Sequence, residues 1–358
     1  MTEPEHTRAS AAQHVGPAAA LVSALLFGAT TPIAKQLLHG TSPLLIAGLL
    51  YLGSGLGLTL LRTIQDRGWR PTGLARSEWP WLATATLVGG IVAPALLMLG
   101  LSRTDAATAS LLLNLEAVFT AALAWFLFHE ATGRRMVLGF LAIFAGGVLL
   151  AWPSQLSTGR SFGLLCVAAA CLCWGIDNNV TRKISAGDSR LIAGIKGLVA
   201  GSTNTALAFS VGATAPDAPH VAGILTLGFL GYGLSLVLFI IALRHLGTAR
   251  TGAYFSTAPF IGTVLAVILY GQPVTPLFYL AAALMAFGVW LHVAEHHEHE
   301  HTHTPLAHTH SHRHDEHHQH EHREPWDGRE PHTHEHSHAF LLHSHPHFPD
   351  IHHEHRHD

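Results

Sequence analysis

Ten long apolar segments alternate with short polar stretches along the chain, and together they predict its fold. They lie near residues 17–38, 43–62, 79–101, 106–128, 135–152, 162–181, 190–210, 222–243, 252–270 and 275–294. Each segment is long enough to cross about 30 Å of hydrocarbon as a helix that rises about 1.5 Å per residue. Charged residues make up only 12% of the chain, about half the fraction typical of soluble domains. The pattern therefore predicts an all-α polytopic membrane protein with ten transmembrane helices.

The apolar part of the chain repeats itself once. After a shift of 142 positions, Leu101–Glu130 aligns without gaps on Leu243–Gln272. After a shift of 146 or 147 positions, Leu45–Gly55 aligns on Leu191–Gly201. Each copy holds five apolar segments, and an odd number of crossings returns the chain on the other side of the membrane. The second copy is therefore predicted to be inverted, which is the arrangement of many secondary transporters.

This repeat divides the chain into four predicted regions. They are an N-terminal cytoplasmic segment (1–16), a first five-helix repeat (17–152), a second five-helix repeat (153–294) and a C-terminal tail (295–358). The N-terminal segment is polar and lacks the pattern of a cleavable signal peptide.

Basic residues are concentrated in alternate loops between the apolar segments. With a cytoplasmic N-terminus, the inner loops hold Arg62, Arg67, Arg70, Arg76, Arg134, Arg135, Arg182, Lys183, Arg190, Arg244 and Arg250. The outer loops hold Arg103 and Arg160, with Lys35 near a helix end as a predicted interfacial anchor. Cytoplasmic loops carry an excess of Lys and Arg. We therefore predict an integral protein of a bacterial inner membrane with both termini in the cytoplasm.

Two corresponding segments carry a resemblance to a known family. LLLNLEAVFTAALAWFLFHE (Leu111–Glu130) and its counterpart GAYFSTAPFIGTVLAVILYGQ (Gly252–Gln272) resemble the fourth helix of the EamA-type branch of the drug/metabolite transporter superfamily. The counterpart keeps a mid-span proline, Pro259, where the first segment has Ala117, and His129 stands where the family usually has glycine. The resemblance covers both repeats. It implies ten helices in two inverted halves around a central cavity, and export of amino acids, metabolites, nucleotide sugars or drugs.

Glu116 is the leading candidate for a residue of the substrate or proton pathway. It lies ten positions into a segment that begins near Ala106, at a depth of about 15 Å and close to the bilayer midplane. An ionisable group at that depth costs a few kcal/mol and is a functional candidate by default. With Asn114 it is expected to bind a substrate ammonium group or to carry a proton. The alternative is a permanently protonated glutamic acid that only holds helices together.

Polar runs at matching places in the two repeats give further candidates. The run Asp177–Asn179 in the sixth segment corresponds to Thr30–Pro32 in the first. Interrupted segments at corresponding places point to the binding site of a transporter. We therefore assign Asp177, Asn178 and Thr31 to the pathway.

Lys196 has three interpretations and Asp177 has two. Lys196 lies inside the seventh segment, where it is expected either to neutralise Glu116, or to bind a substrate carboxylate, or to extend to the cytoplasmic surface. Asp177 is expected either to line the pathway or to pair with Arg182 or Lys183 at the membrane surface.

The C-terminal tail is rich in histidine. From Leu291 to Asp358 come 25 of the 31 histidines, mostly in the pattern His-x-His, with few apolar residues between them. Such a composition predicts a disordered tail. Neutral imidazoles suit Cu, Ni and Zn, so we predict several weak sites for Zn, Ni or Cu among His297, His299, His301, His303, His310, His312, His314, His334, His336, His338, His345, His347, His353 and His355.

Two main functions follow from these features. The favoured one is a secondary transporter that exports a small organic metabolite, either an amino-acid-like solute or a drug, by proton-coupled alternating access, with a metal-binding tail. The alternative is a transition-metal (Ni/Co/Zn) transporter or a metal-responsive membrane protein. The carboxylates and amides of the apolar segments are poor ligands for Ni or Zn, which disfavours metal as the cargo.

The expected partners are the lipid bilayer, a small-molecule solute and metal ions at the tail. The formal net charge of −3 indicates no nucleic-acid partner. We predict no enzymatic activity and no required cofactor, because the chain lacks a phosphate-binding glycine loop, a nucleophile elbow and a His-Glu-x-x-His motif. The sequence leaves open whether two chains form a homodimer.

Overall fold

The structure is a computed structural model whose described part is helical up to the tail. It describes residues 4–65, 74–128, 134–151, 158–184, 188–271, 274–293, 298–303, 306–312, 332–338 and 341–346. Within this part no strand occurs before residue 298.

The first repeat contains seven α-helices and one π-helix, with a short 3₁₀ turn (Arg76–Glu78) before the third. In chain order they are α1 (Pro4–Leu37), α2 (Pro43–Gln65), α3 (Trp79–Ala85), a first π-helix (Thr86–Val92), α4 (Ala93–Arg103), α5 (Ala106–Leu112), α6 (Leu115–Phe128) and α7 (Arg134–Ala151). Helix α1 thus begins before the predicted boundary at residue 17, and the apolar span within it begins at Val15.

The second repeat contains six α-helices and a second π-helix. In chain order they are α8 (Thr158–Arg182), α9 (Ser189–Ser210), α10 (Ala218–Gly228), a second π-helix (Phe229–Leu234), α11 (Ser235–Phe255), α12 (Ala258–Tyr270) and α13 (Pro276–Val293).

Six described helical stretches are long and apolar enough to cross a membrane. They are Val15–Leu37, Pro43–Gln65, Arg76–Arg103, Ala106–Leu123, Gly159–Thr181 and Ala218–Ala242. Three shorter apolar helices are Val137–Leu150, Ala258–Tyr270 and Pro276–Leu291. The chain is therefore an integral membrane protein with at least these six spans, and the count of ten stays a prediction.

Irregularities of the helices fall at matching places in the two repeats. A shift of 142 or 143 positions superimposes the first π-helix on the second, and the turn at Leu113–Asn114 on the turn at Ser256–Thr257. Gly89 in the first π-helix contacts Asp177, because a Cβ there would overlap that carboxyl group. Its counterpart Gly231 contacts Thr30 in the same way.

One predicted loop is wrong. The stretch 244–251, with Arg244 and Arg250, was expected to be an inner loop, but it lies within the continuous helix α11. In the first repeat the corresponding break has a clear cause, since the side chain of Asp105 accepts a hydrogen bond from Thr108 N at 2.7 Å and starts a new helix there. A shift of 142 positions puts Gly247 at this place. Gly247 offers no side-chain oxygen for such a hydrogen bond, and α11 continues through this position.

Helices α2 and α9, which correspond in the repeat, pack against each other through glycines. A Cβ at Gly197 would lie 2.7 Å from Gly55 Cα, and one at Gly55 would overlap the backbone of Leu198. Gly201 meets the backbone of Leu52 in the same way. Small residues let helix backbones approach closely inside a membrane, so this contact is made mainly by backbone.

The other main contacts join helices of different repeats. Helix α1 packs against α11 and α12, and correspondingly α8 packs against α4 and α6. Between α1 and α11, Ser23 Oγ donates to Ser235 O at 2.7 Å and Ser235 Oγ donates to Ser23 O at 3.0 Å. These reciprocal bonds satisfy two buried hydroxyl groups in a region without water.

The tail contains four short strands in two antiparallel pairs. Strand β1 (Glu298–His303) pairs with β4 (Leu341–Pro346), and β2 (Leu306–His312) pairs with β3 (His332–His338). The backbone of the described tail segments is thus extended and paired, which the sequence did not predict. Because an isolated two-stranded ribbon is only marginally stable in water, disorder of the tail as a whole stays a prediction.

Candidate functional site

Glu116 lies in the first turn of α6 and accepts a hydrogen bond from another helix. Asn178 Nδ2 on α8 donates to Glu116 Oε1 at 2.9 Å and to Thr120 Oγ1 at 3.2 Å. Glu116 is partly buried and Asn178 is exposed, so the hydrogen bond lies at an accessible edge of the contact between α6 and α8. The first turn of a helix favours a negative charge, and Glu116 lies in the first turn of α6.

Asp177, the neighbour of Asn178, pairs with Lys196. Lys196 Nζ on α9 donates to Asp177 Oδ2, and Thr181 Oγ1 donates to Asp177 Oδ1 at 3.0 Å. The side chains of Asp177 and Lys196 are 7% and 16% exposed, so the pair is nearly enclosed. Lys196 thus pairs with Asp177 in this structure, whereas pairing of Asp177 with Arg182 or Lys183 at the membrane surface stays a prediction. Lys196 also does not bond to Glu116 directly.

The two contacts form one electrostatic cluster on three helices. Asp177 and Asn178 are adjacent on α8, so the ion pair with Lys196 and the hydrogen bond to Glu116 lie side by side. Asn179 fixes α8 to α6 beside them, because its Nδ2 donates to Thr120 O at 2.9 Å and to Gly175 O at 2.8 Å. We name Glu116, Asn178, Asp177 and Lys196 the polar cluster.

The first π-helix lies beside this cluster and is attached to α2, α8 and α9 by side chains that the sequence did not single out. Tyr51 Oη on α2 and Trp174 Nε1 on α8 both donate to Gly89 O, each at 3.0 Å. Asn204 Nδ2 on α9 donates to Ile91 O at 3.0 Å. The sequence signal for these contacts is the pair Gly89-Gly90 shortly before Pro94. Because proline has no N–H group, a helix that contains it leaves a carbonyl group without a backbone donor.

Two of the predicted pathway residues lie outside the polar cluster. Asn114 Nδ2 donates to Leu111 O at 2.9 Å, so this buried side chain satisfies the turn between α5 and α6. Thr31 is buried on α1, where its neighbour Thr30 contacts Gly231 of the second π-helix. Thr31 thus belongs to the corresponding region of the other repeat.

Lys35, the predicted interfacial anchor, instead stabilises the end of a helix. Its Nζ donates to Leu101 O at 2.6 Å and to Thr104 O at 2.9 Å, at the C-terminus of α4. A cation at a helix C-terminus satisfies free carbonyl groups and the negative end of the helix dipole.

An apolar cavity of about 280 Å³ lies beside α6, between α7 and α8. It is lined by Leu112, Leu115, Phe144, Gly147, Val148, Ser161, Leu164, Leu165 and Ala168. The exposed side chains of Phe144, Val148 and Leu165 indicate that it opens toward lipid.

The predicted metal ligands lie in the tail. Among the residues whose side chains the structure describes, no group of three or more His, Cys, Asp or Glu is arranged to hold a metal ion. The strands contain His299, His301, His303, His310, His312, His334, His336, His338 and His345. His297, His314, His347, His353 and His355 lie outside the described residues.

The chain is similar to several known transport proteins. It is 25% identical over 290 residues to an uncharacterized transporter of Methanothermobacter thermautotrophicus, covering 76% of this chain and 84% of that protein. It is 37% identical over 115 residues to a protein of Pseudomonas aeruginosa named as the probable 4-amino-4-deoxy-L-arabinose-phosphoundecaprenol flippase subunit ArnE. That match covers 31% of this chain and 96% of ArnE.

A solved structure shares the fold, and a known family matches the chain twice. A crystal structure with 19% sequence identity superimposes with a TM-score of 0.58 and covers 76% of this chain and 95% of its own. Residues 14–152 and, separately, residues 161–294 match the EamA-like transporter family. The two matches coincide with the predicted repeats and take up most of the chain, so this membrane protein belongs to the EamA-like transporter family.

Proposed function

We propose that the chain is a secondary transporter that exports a small organic solute with an amino group, an amino-acid-like compound or a drug. The observation that carries this proposal is the polar cluster, which joins three helices of a membrane protein. Ionisable groups inside a membrane are costly and mark substrate or proton pathways. A purely structural contact between helices needs no carboxyl group beside an existing ion pair.

The charges of the polar cluster suggest how a solute is coupled to protons. Asp177 and Lys196 neutralise each other through their ion pair, so Glu116 supplies the remaining charge. One proton or one ammonium group satisfies that charge, but both cannot bind at once. Mutual exclusion at one carboxyl group makes the protein a proton-coupled antiporter.

Two inverted five-helix halves with ten crossings are part of the proposal. The matched π-helices, the matched turns and the exchanged packing of α1 with α11 and α8 with α4 support it. Inverted halves give a site between them two alternative accesses, one on each side of the membrane. The excess of arginine in alternate loops supports cytoplasmic termini.

The name of one relative supports an amino group on the solute. ArnE is named as part of a flippase for an aminoarabinose attached to a lipid phosphate. A primary amine is the kind of cation that the Glu116 carboxylate would bind by charge-assisted hydrogen bonds.

Everted membrane vesicles provide the test. Vesicles with an imposed interior-acid pH gradient receive each standard amino acid, or the cationic dye ethidium, while a pH-sensitive dye reports protons leaving the interior. We expect at least one of these compounds to release protons in vesicles that contain the wild-type chain. Glu116→Gln keeps the size of the side chain but cannot ionise, so it abolishes this release.

Glu78→Gln is the matched control. Glu78 lies in the 3₁₀ turn before α3 and accepts a hydrogen bond from Ala75 N, which glutamine can also accept. We expect this variant to behave as the wild type. Undiminished proton release by Glu116→Gln at equal membrane abundance would show that Glu116 is structural.

Metal binding by the tail is a second candidate function, as a metal-responsive part of the transporter or as a collector for a Ni/Co/Zn transporter. The strand register supports it, because His308, His310 and His312 of β2 stand opposite His336, His334 and His332 of β3. Imidazole at that density favours Zn, Ni or Cu.

A register-specific substitution tests this second candidate. Replacement of His308, His310 and His312 by asparagine is expected to remove the tightest zinc sites of the full-length protein. Replacement of His317, His318 and His320, which lie between the strands in sequence, is the matched control. Equal losses in both variants would show that binding depends only on the number of histidines.

A further inference from the structure

The carbonyl group of Gly89 has no backbone donor, and the sequence explains why. In the first π-helix, Ala93 N donates to Val88 O, five residues earlier. The next donor in this register would be residue 94, which is Pro94 and has no N–H group. Ala93 N, the donor that an α-helix would offer to Gly89, is already used. An unpaired carbonyl inside a membrane is unfavourable.

Two side chains from other helices supply the missing hydrogen bonds. Tyr51 Oη and Trp174 Nε1 each lie 3.0 Å from Gly89 O, and a carbonyl oxygen has two lone pairs to accept them. Both donors are buried, with residue exposures of 7% and 6%. Gly89 O therefore joins α2, α8 and the first π-helix at one atom.

Gly89 also touches the polar cluster. A Cβ at this position would overlap the Asp177 carboxyl group, and Asp177 pairs with Lys196. Movement of the first π-helix therefore changes the surroundings of the ion pair. The two hydrogen bonds to Gly89 O resist that movement.

The second π-helix has neither the proline that removes a backbone donor nor side-chain donors at the places that correspond to Tyr51 and Trp174. There Ser235 N donates to Leu230 O in the same register, but the next residue is Leu236, which keeps its N–H group. The repeat shifts place Gly197 at the position of Tyr51 and Phe27 at the position of Trp174. Neither side chain can donate. Side-chain donors at these places thus accompany the π-helix in which proline makes them necessary.

We propose that Tyr51 and Trp174 are positioning residues that hold the first π-helix against the Asp177–Lys196 pair. They act as a two-bond latch on Gly89 O, and alternation between the two accesses requires the latch to open. Only the link between latch opening and transport rests on the proposed function. The latch itself is testable without a transported solute.

Hydrogen–deuterium exchange of the full-length protein in lipid nanodiscs measures the latch. Tyr51→Phe keeps the ring that packs 5.4 Å from the ring of Tyr232 and removes only the hydroxyl donor. We expect amides of residues 86–93 to exchange faster in Tyr51→Phe and in Trp174→Phe, and roughly tenfold faster in the double variant. Tyr279→Phe, on an exposed part of α13, is the matched control and leaves this exchange unchanged.

Restoring the backbone donor distinguishes a latch from simple packing. Pro94→Ala provides the N–H group that continues the π register to Gly89 O, so Tyr51→Phe should have little effect in this background. Pro94→Leu, which copies the second repeat, serves the same purpose if the alanine variant does not insert.

Two outcomes would overturn the latch. One is an equal acceleration by Tyr51→Phe with and without the proline substitution, which would assign the effect to ring packing. The other is unchanged exchange in the double variant. Failure of the proton-release assay with intact latch behaviour would count against the transport proposal alone.

Discussion

Lys196 on α9 pairs with Asp177 on α8, and both side chains are nearly closed to solvent. Beside the pair, Glu116 is held by Asn178 and has no cation bonded directly to it among the described contacts. The net charge of the polar cluster is therefore −1 when Glu116 is ionised and zero when it is protonated. A neutral cluster is favoured in hydrocarbon, so either a proton or a cationic group should be present whenever the cluster is closed.

The ion pair should respond differently to single and double substitutions. Lys196→Gln leaves Asp177 as an uncompensated buried charge and is expected to destabilise the protein by about 3 kcal/mol. Lys196→Gln together with Asp177→Asn removes both charges and should recover most of that loss. Thermal unfolding of the detergent-solubilised chain, followed through its melting temperature, measures the difference. Equal losses in the single and double variants would show that the residues act independently.

The helix break of the first repeat should depend on one capping side chain. Asp105→Ala removes the hydrogen bond to Thr108 N and is expected to lower stability by about 1 kcal/mol. Asp217→Ala is a matched control, because Asp217 stands before α10 without a side-chain capping bond. Melting temperatures of both variants check the prediction, and it is wrong if the two variants lose the same stability.

The orientation predicted from the arginine asymmetry can be checked by chemical labelling. In a background where Cys166, Cys171 and Cys173 are replaced by alanine, a cysteine at position 70 should resist a membrane-impermeant maleimide in intact cells. A cysteine at Ser102, which is exposed at the end of α4, should react. The opposite labelling pattern would reverse the orientation.

Zinc binding by the tail should weaken in acid. Imidazole binds metal only when neutral, and its pKa is about 6.5, so affinity should fall as the pH is lowered through this value. Calorimetric titration of the full-length protein with zinc chloride at pH 7.5 and pH 5.5 (about one unit on either side of that value) measures the loss. Truncation after Glu295 should abolish binding and leave the helical part inserted. Binding that persists after truncation would place the sites elsewhere.

The helical class, the two repeats and the four residues of the polar cluster could be predicted because each depends on features of a short stretch of sequence. Apolar length identifies spans, and a carboxyl group such as Glu116 stands out in an apolar segment. The pairing of Lys196 was not predictable in the same way, because Asp177 and Glu116 were both acceptable partners. Helix packing made the choice, and packing is not visible in one-dimensional spacing.

The misplaced loop and the missed donors have more specific causes. Arg244 and Arg250 resemble loop residues by composition, but Gly247 lacks the capping side chain that Asp105 provides, and helix α11 runs through it. In the sequence, Tyr51 and Trp174 look like any aromatic residue of an apolar segment. Only the structure shows the carbonyl group to which they donate. Pro94 was readable in the sequence, but its effect depends on the π register, which sequence periodicity does not reveal.

The contact between α2 and α9 differs in kind from the contact between α1 and α11. Reciprocal serine bonds tie α1 to α11, and breaking them in lipid would expose polar groups with no replacement partner. The glycines Gly55, Gly197 and Gly201 give α2 and α9 smooth surfaces with few interlocking side chains. The conformational cycle is thus expected to let α2 and α9 slide along each other, while the serine-tied pair of α1 and α11 moves as one rigid unit.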